Sequence, residues 1–136
     1  MDLSNFKQLC FNNANCKIWY WYRAAANVDK YVILLHGAGC DHVMFEKNIG
    51  IFDDSYNIII WDARGHGLSA MDKSQQFVFN DMYDDCLKLF EIHQMEAWSK
   101  IDSNCTLFMV KNAGHNSNQD NPNDVNNIIL TFLENG

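Results

Sequence analysis

The chain has 136 residues, 48% of them apolar and 13% aromatic, and a formal net charge of −7. That length and composition describe one globular domain over residues 1–136 with a real apolar core, and they favour a globular chain over a disordered one. An acidic balance with no basic cluster argues against nucleic acid or an anionic membrane as partner.

In chain order, residues 6–12 and 16–23 read as two short strands around the turn Asn12-Asn13-Ala14-Asn15. In the second, Ile18, Tyr20 and Tyr22 alternate with Trp19 and Trp21, so both faces are large and apolar. Residues 27–30 form a loop, and Tyr31-Val32-Ile33-Leu34-Leu35 follows without polar alternation. Such a run suits a central strand covered on both faces by helices. It stops at His36-Gly37-Ala38-Gly39, where glycines allow a sharp turn with exposed N–H groups. In open parallel sheets ligands bind at that end of the strands.

Met44, Phe45, Ile49 and Phe52 then fit a helix of three turns. Residues 56–61 (Tyr-Asn-Ile-Ile-Ile-Trp) form a second buried strand. Strand, helix and strand in that order imply a parallel unit with a right-handed crossover. Phe79, Met82, Tyr83, Cys86, Leu87, Leu89 and Phe90 form the apolar side of a long helix over 80–95. Residues 105–110 (Cys-Thr-Leu-Phe-Met-Val) read as a third strand of the same kind, ended by Asn112-Ala113-Gly114-His115. In the final helix Asn121 is the N-cap, Pro122 the first helical residue and Asp124 in the first turn. Val125, Ile128, Ile129, Phe132 and Leu133 supply its apolar stripe. The class is α/β, with the hairpin at one edge.

The five cysteines are odd in number and lack paired spacing, and Met1-Asp2-Leu3-Ser4 does not begin a signal peptide. Reduced thiols and a cytoplasmic location are therefore expected. No apolar run reaches the length of a membrane span.

Three segments in this order resemble the α/β-hydrolase family. His36-Gly37-Ala38-Gly39 resembles the loop whose backbone supplies part of the oxyanion hole. Asp62-Ala63-Arg64-Gly65-His66-Gly67-Leu68-Ser69 is similar to the family's D-x-R-G-x-G-x-S turn. Asn112-Ala113-Gly114-His115, followed by Asp120-Asn121-Pro122 and a helix, resembles the segment that carries the catalytic histidine. The resemblance covers about residues 6–133. It implies His115 as the family base and the Ala38 N–H as one oxyanion donor. His36, Gly37, Gly39, Asp62, Arg64, Gly65 and Gly67 then form the loops near the site. Ester or amide hydrolysis is the family's chemistry, with a small ester-like molecule as ligand and no cofactor.

The resemblance has a gap. In the family the long helix leads to a strand and the G-x-S-x-G elbow that exposes the nucleophilic serine. Here Glu91-Ile92-His93-Gln94-Met95-Glu96 runs directly into Ala97-Trp98-Ser99-Lys100-Ile101-Asp102, and no G-x-S-x-G occurs. Members are about twice this size, so the resemblance implies an internal deletion of the elbow, the lid and the acid segment. Acyl transfer needs a nucleophile, a base within reach and donors for the oxyanion. The second donor belongs to the residue after the nucleophile and is lost with it. The expected chain is thus an inactive or nearly inactive member. The alternative is a small-ligand or protein-interaction module using the 36–39 loop pocket or an exposed sheet edge.

No remaining residue substitutes convincingly. Gly67-Leu68-Ser69-Ala70-Met71 half-matches the elbow but follows the wrong strand. Cys40 is a small loop residue and Cys86 lies on the apolar helix face. Ser117 is too near His115 for the family geometry. Asp102 precedes the last strand at its far end, and Asp120 reads as a helix-start residue. Asp62 and Arg64 are expected to bond loop backbone or each other, and His36 to fix its loop. His36, His42, His66 and His115 match no zinc spacing, so no metal is expected.

Removing whole strand–helix units leaves a sheet of about five strands, the hairpin plus three parallel strands, flanked by three helices. Its expected order is the hairpin, then 56–61, then 31–35, then 105–110 in the vacated slot. Gly114 and His115 would then face Ala38 and Gly39. Residues 105–110 would present a flat apolar edge that invites homo-association.

Overall fold

In a computed structural model of the protein, residues 1–93 and 108–135 are described. Strands β1 (Lys7–Asn13) and β2 (Cys16–Arg23) form an antiparallel hairpin, paired from Lys7 with Tyr22 to Asn13 with Cys16. Its two turn residues, Ala14 and Asn15, both have positive φ, the geometry that matches the twist of a tight hairpin. Strand β3 (Tyr31–Leu34) pairs in parallel with β4 (Asn57–Trp61), and β4 pairs antiparallel with β2. The sheet order is β1-β2-β4-β3. The hairpin, 56–61 and 31–35 therefore stand in the expected sequence.

The central strand is β4. All five of its residues are buried, and Ile58, Ile59 and Ile60 are fully so. Its side chains alternate between two apolar layers. Ile59 and Trp61 join Ile18, Tyr20, Cys86, Leu89 and Phe90 on the face covered by α1 (Phe79–Ile92). Ile58 and Ile60 join Phe45, Ile49 and Phe52 on the other, against Ile129 and Leu133 of α3 (Pro122–Asn135). Each fully buried isoleucine contributes about 1.5–3 kcal/mol of transfer free energy, so β4 is the spine of both layers.

The expectation that 31–35 is the central buried strand is corrected. All four residues of β3 are only half-buried, Leu35 lies beyond the strand and is 42% exposed, and β3 is the last strand of the described sheet. Apolar composition reports that a strand has two apolar faces, and not how many strands flank it. The fifth strand expected over 105–110 falls partly outside the described residues. Its described part, Phe108, Met109 and Val110, is not in a strand, and Met109 is 84% exposed.

The three-turn helix expected over 44–52 is replaced by two 3-10 turns, His42–Phe45 and Ile49–Ile51. Asp41 caps the first by accepting the Val43 N–H at 2.9 Å. Asn48 and Gly50 then interrupt the run, and the bonds are i to i+3, as from Asn48 N to Phe45 O at 2.9 Å. The apolar residues still bury, because 3.0 and 3.6 residues per turn put nearly the same positions inward over so short a stretch.

The final helix matches its caps. The Val125 N–H donates to Asn121 O at 3.2 Å, and the Asp124 N–H donates to Asn121 Oδ1 at 3.4 Å. A short helix, α2 (Ser117–Asp120), precedes it. Asn118 Nδ2 donates to Met44 O (2.8 Å) and to Asn48 Oδ1 (3.2 Å), and Lys47 Nζ donates to Gln119 O (2.9 Å). Asn48 Nδ2 donates to Asn126 Oδ1 at 2.7 Å. Asparagine side chains and Lys47, with Gln119 Nε2 also donating to Met44 O, thus hold the C-terminal segment to the 3-10 turns. Among the described residues no helix is long and apolar enough to cross a membrane.

Candidate functional site

Two loops leave the same end of the parallel pair β3 and β4, and imidazoles stitch them together. The Ala63 N–H donates to His36 Nε2 at 3.0 Å, which leaves the proton on Nδ1 to donate to Gly37 O at 2.8 Å. The Gly39 N–H donates to His66 Nε2 at 3.1 Å, and His66 Nδ1 lies 3.0 Å from Arg64 O. The two rings sit 5.2 Å apart. Each histidine spends both nitrogens on loop backbone, one loop reaching into the other.

Asp62 organises the second loop. It is wholly buried, its Oδ1 accepts the His42 N–H at 2.8 Å, and its Oδ2 accepts the Leu68 N–H at 2.8 Å. Gly67 closes on it with φ +48°, and a Cβ there would fall inside the carboxylate. Ser69 is equally buried: its hydroxyl donates to Asp62 O at 2.7 Å and accepts the Trp19 N–H at 2.8 Å. That oxygen is a strut between β2 and the loop, with no exposure to a substrate.

Arg64 departs from expectation. It makes no hydrogen bond to Asp62 among the described residues; one Nη donates to the backbone Asn13 O beside the hairpin turn at 3.4 Å, and the guanidinium otherwise runs to α1. Nε donates to Asp85 Oδ2 at 2.7 Å and one Nη to Asp85 Oδ1 at 2.8 Å, a bidentate pair with both partners buried. A third donor reaches Asp81 at 3.1 Å, and Asn13 Nδ2 donates to Asp85 Oδ1 at 2.9 Å. The hydrogen bond to Asp85 pushes the Arg64 pKa up. The sequence signal for this was the carboxylate pair Asp81 and Asp85, one helical turn apart on a helix whose neighbour Cys86 faces inward.

The His-Gly loop itself is open. Gly37, Ala38 and Gly39 are exposed, Gly39 has φ +78°, and Cys40 N–H donates to Gly37 O at 3.2 Å. Among the described residues the Ala38 N–H has no acceptor. Beside it Gly39, Cys40, Asp41, Met44, Asn116 and Gln119 are among the residues lining a cavity of about 300 Å³. The segment that carries His115 therefore meets the His-Gly loop across a shared depression. His115 does not line it, is exposed, and makes no side-chain hydrogen bond among the described residues. Asp120 holds that segment by accepting the Gly114 N–H at 2.8 Å. Burial pushes the Cys86 thiol up to about 11 and raises Cys16 as well, so neither is a ready thiolate. Asp102 lies outside the described residues.

One pairing was not foreseen. His42, considered in the sequence only as a metal candidate, places Nδ1 2.9 Å from Asp62 Oδ1 and stacks on Trp21 with ring centroids 3.7 Å apart. Nothing in the spacing of residues 42 and 62 announces it. The contact exists because β3 and β4 deliver their loops side by side. Among the described residues no group of three or more histidine, cysteine or carboxylate side chains is placed to hold a metal ion.

No protein-family model matches the sequence, and no curated protein does. Solved structures do. An epoxide hydrolase from Vigna radiata superposes with a TM-score of 0.58 at 15% identity, covering 68% of this chain and 30% of its own. A protein from Nostoc sp. PCC 7120, described as a candidate α/β hydrolase, gives 0.55 at 23% identity, covering 68% and 32%. A membrane phospholipase A described as a bacterial virulence factor gives 0.56 at 16% identity, covering 65% and 28%. The fold is that of the α/β hydrolases, and the chain spans about 30% of the length of these structures.

Proposed function

We propose that this chain is a hydrolase-fold remnant without serine-hydrolase activity, in which an internal deletion has removed the elbow, lid and acid segment while the loops around the site persist as structure. The observation that carries this reading is the employment of the surviving polar groups. Ser69 spends its hydroxyl on Asp62 O and the Trp19 N–H, and His36 and His66 spend both ring nitrogens on backbone. His115, the family base by resemblance, has among the described residues neither a nucleophile within hydrogen-bond reach nor a carboxylate to orient it. Removing triad members leaves only the residual rate that binding and the oxyanion hole supply. The test is hydrolysis of an unactivated alkyl ester such as tributyrin. The rate expected is that of buffer alone, and saturable turnover abolished by His115→Ala would overturn the reading.

A second reading rests on the Ala38 N–H and the adjacent cavity of about 300 Å³. An amide without an acceptor among the described residues, beside a depression that size, suits a small ester-like molecule bound through its carbonyl oxygen. Binding of a short-chain ester without turnover, measured by calorimetry and weakened by Ala38→Trp, would favour this module over an inert remnant.

A further inference from the structure

The five histidines spend their ring nitrogens in different ways. His36 and His66 have both engaged. His93 Nε2 is buried without a partner, and His115 lacks any orienting group among the described residues. His42 alone among the described histidines has a carboxylate on one nitrogen and solvent on the other. The carboxylate is Asp62, 2.9 Å from Nδ1 and itself fully buried. An acceptor there keeps the proton on Nδ1 and the lone pair on Nε2. The side chain is 17% exposed, and among the described residues Nε2 has no hydrogen-bond partner and is not a buried unpartnered atom, so it reaches solvent. Trp21, stacked at 3.7 Å with 24° between the planes, fixes the ring.

We propose that the Asp62–His42 pair makes His42 Nε2 an acyl-accepting nucleophile for activated aryl esters. The Nε2 lone pair attacks the acyl carbon, the carbon–oxygen bond to the aryl group breaks, and the electron pair leaves with the aryloxide. The ring becomes an acylimidazolium that keeps its Nδ1 proton, and the Asp62 carboxylate stabilises the charge. Water then adds to the acyl carbon, the carbon–nitrogen bond breaks, and its pair returns to Nε2, releasing the carboxylate and two protons to solvent. Asp62 is the positioning residue in this scheme. The chemistry needs a good leaving group and no serine, so its failure leaves the reading without serine-hydrolase activity standing.

Diethyl pyrocarbonate, followed by peptide mass mapping, reads nucleophilic order in the unmodified protein. His42 is expected to gain the carbethoxy group first and His36 and His66 last. With p-nitrophenyl acetate, His42→Ala is expected to cut phenol release by about tenfold or more, while Glu91→Gln, in an exposed ion pair on α1, leaves it unchanged. First modification at His115, release that survives His42→Ala in a folded variant, or wild-type release no faster than buffer would each overturn the proposal. Should His42→Ala fail to fold, the modification order in the wild-type protein decides.

Discussion

Gly67 shows how tightly a single position is specified. Its φ of +48° disfavours any side chain, and the space a Cβ needs belongs to the Asp62 carboxylate. That carboxylate is held by the amides of His42 and Leu68 and by the His42 ring, so it cannot step aside without dropping buried bonds. Gly67→Ala is expected to lower folding stability by at least about 2 kcal/mol. A denaturation midpoint equal to wild type would show that the loop yields more easily than its bonds imply. His93 is the corresponding titrating position. Its Nε2 is buried without a partner among the described residues, its ring packs on Tyr20, Tyr22 and Tyr31, and burial lowers its pKa from the ordinary 6.5. Below pH 6.5 the unfolded chain takes a proton at this residue that the folded one resists. Stability is therefore full above that pH and falls as the solution is acidified through it. His93→Phe should flatten this part of a stability-against-pH curve, and an unchanged slope would assign the loss to other groups.

Elements differ in how far sequence alone specifies them. The final helix was legible to its caps because Asn121, Pro122 and the 3.6-residue stripe are local signals. The 3-10 turns were not, since Met44, Phe45, Ile49 and Phe52 satisfy either geometry and Asn48 and Gly50 decide between them. Position in the sheet is harder still. β3 and β4 are near-identical apolar runs, yet β4 is buried throughout and β3 half-buried, a difference set by neighbours. The Arg64–Asp85 pair escaped for the same reason, being made between segments 21 residues apart. That β3 is the last strand of the sheet among the described residues has a measurable consequence. The Asn57 N–H donates to Lys30 O, so in the parallel ladder the amides of Val32 and Leu34 turn toward β4 and those of Tyr31 and Ile33 turn away. Hydrogen exchange should find Tyr31 and Ile33 faster than Val32 and Leu34. Equal protection of all four would mean that another strand, from this chain or a second copy, covers the edge.

For the whole molecule, the structure shows the fold of the α/β hydrolases, with the 36–39 loop and the 62–69 turn at the same end of the parallel pair. The His-Gly loop, the Asp62–Ser69 turn and the final helix were readable as family segments, and the structure gives each a structural occupation. The likeness to solved structures, at TM-scores of 0.54 to 0.58 over about 30% of their length, is a likeness of fold. The role of His42 was invisible because it arises only where two loops converge. What unites these observations is the claim that the chain keeps the hydrolase scaffold without a serine nucleophile. Intact-mass analysis after incubation with a fluorophosphonate probe tests that claim most directly, because the probe needs an activated hydroxyl and no particular substrate fit. The account predicts an unchanged mass. A single stoichiometric adduct on a serine would contradict it.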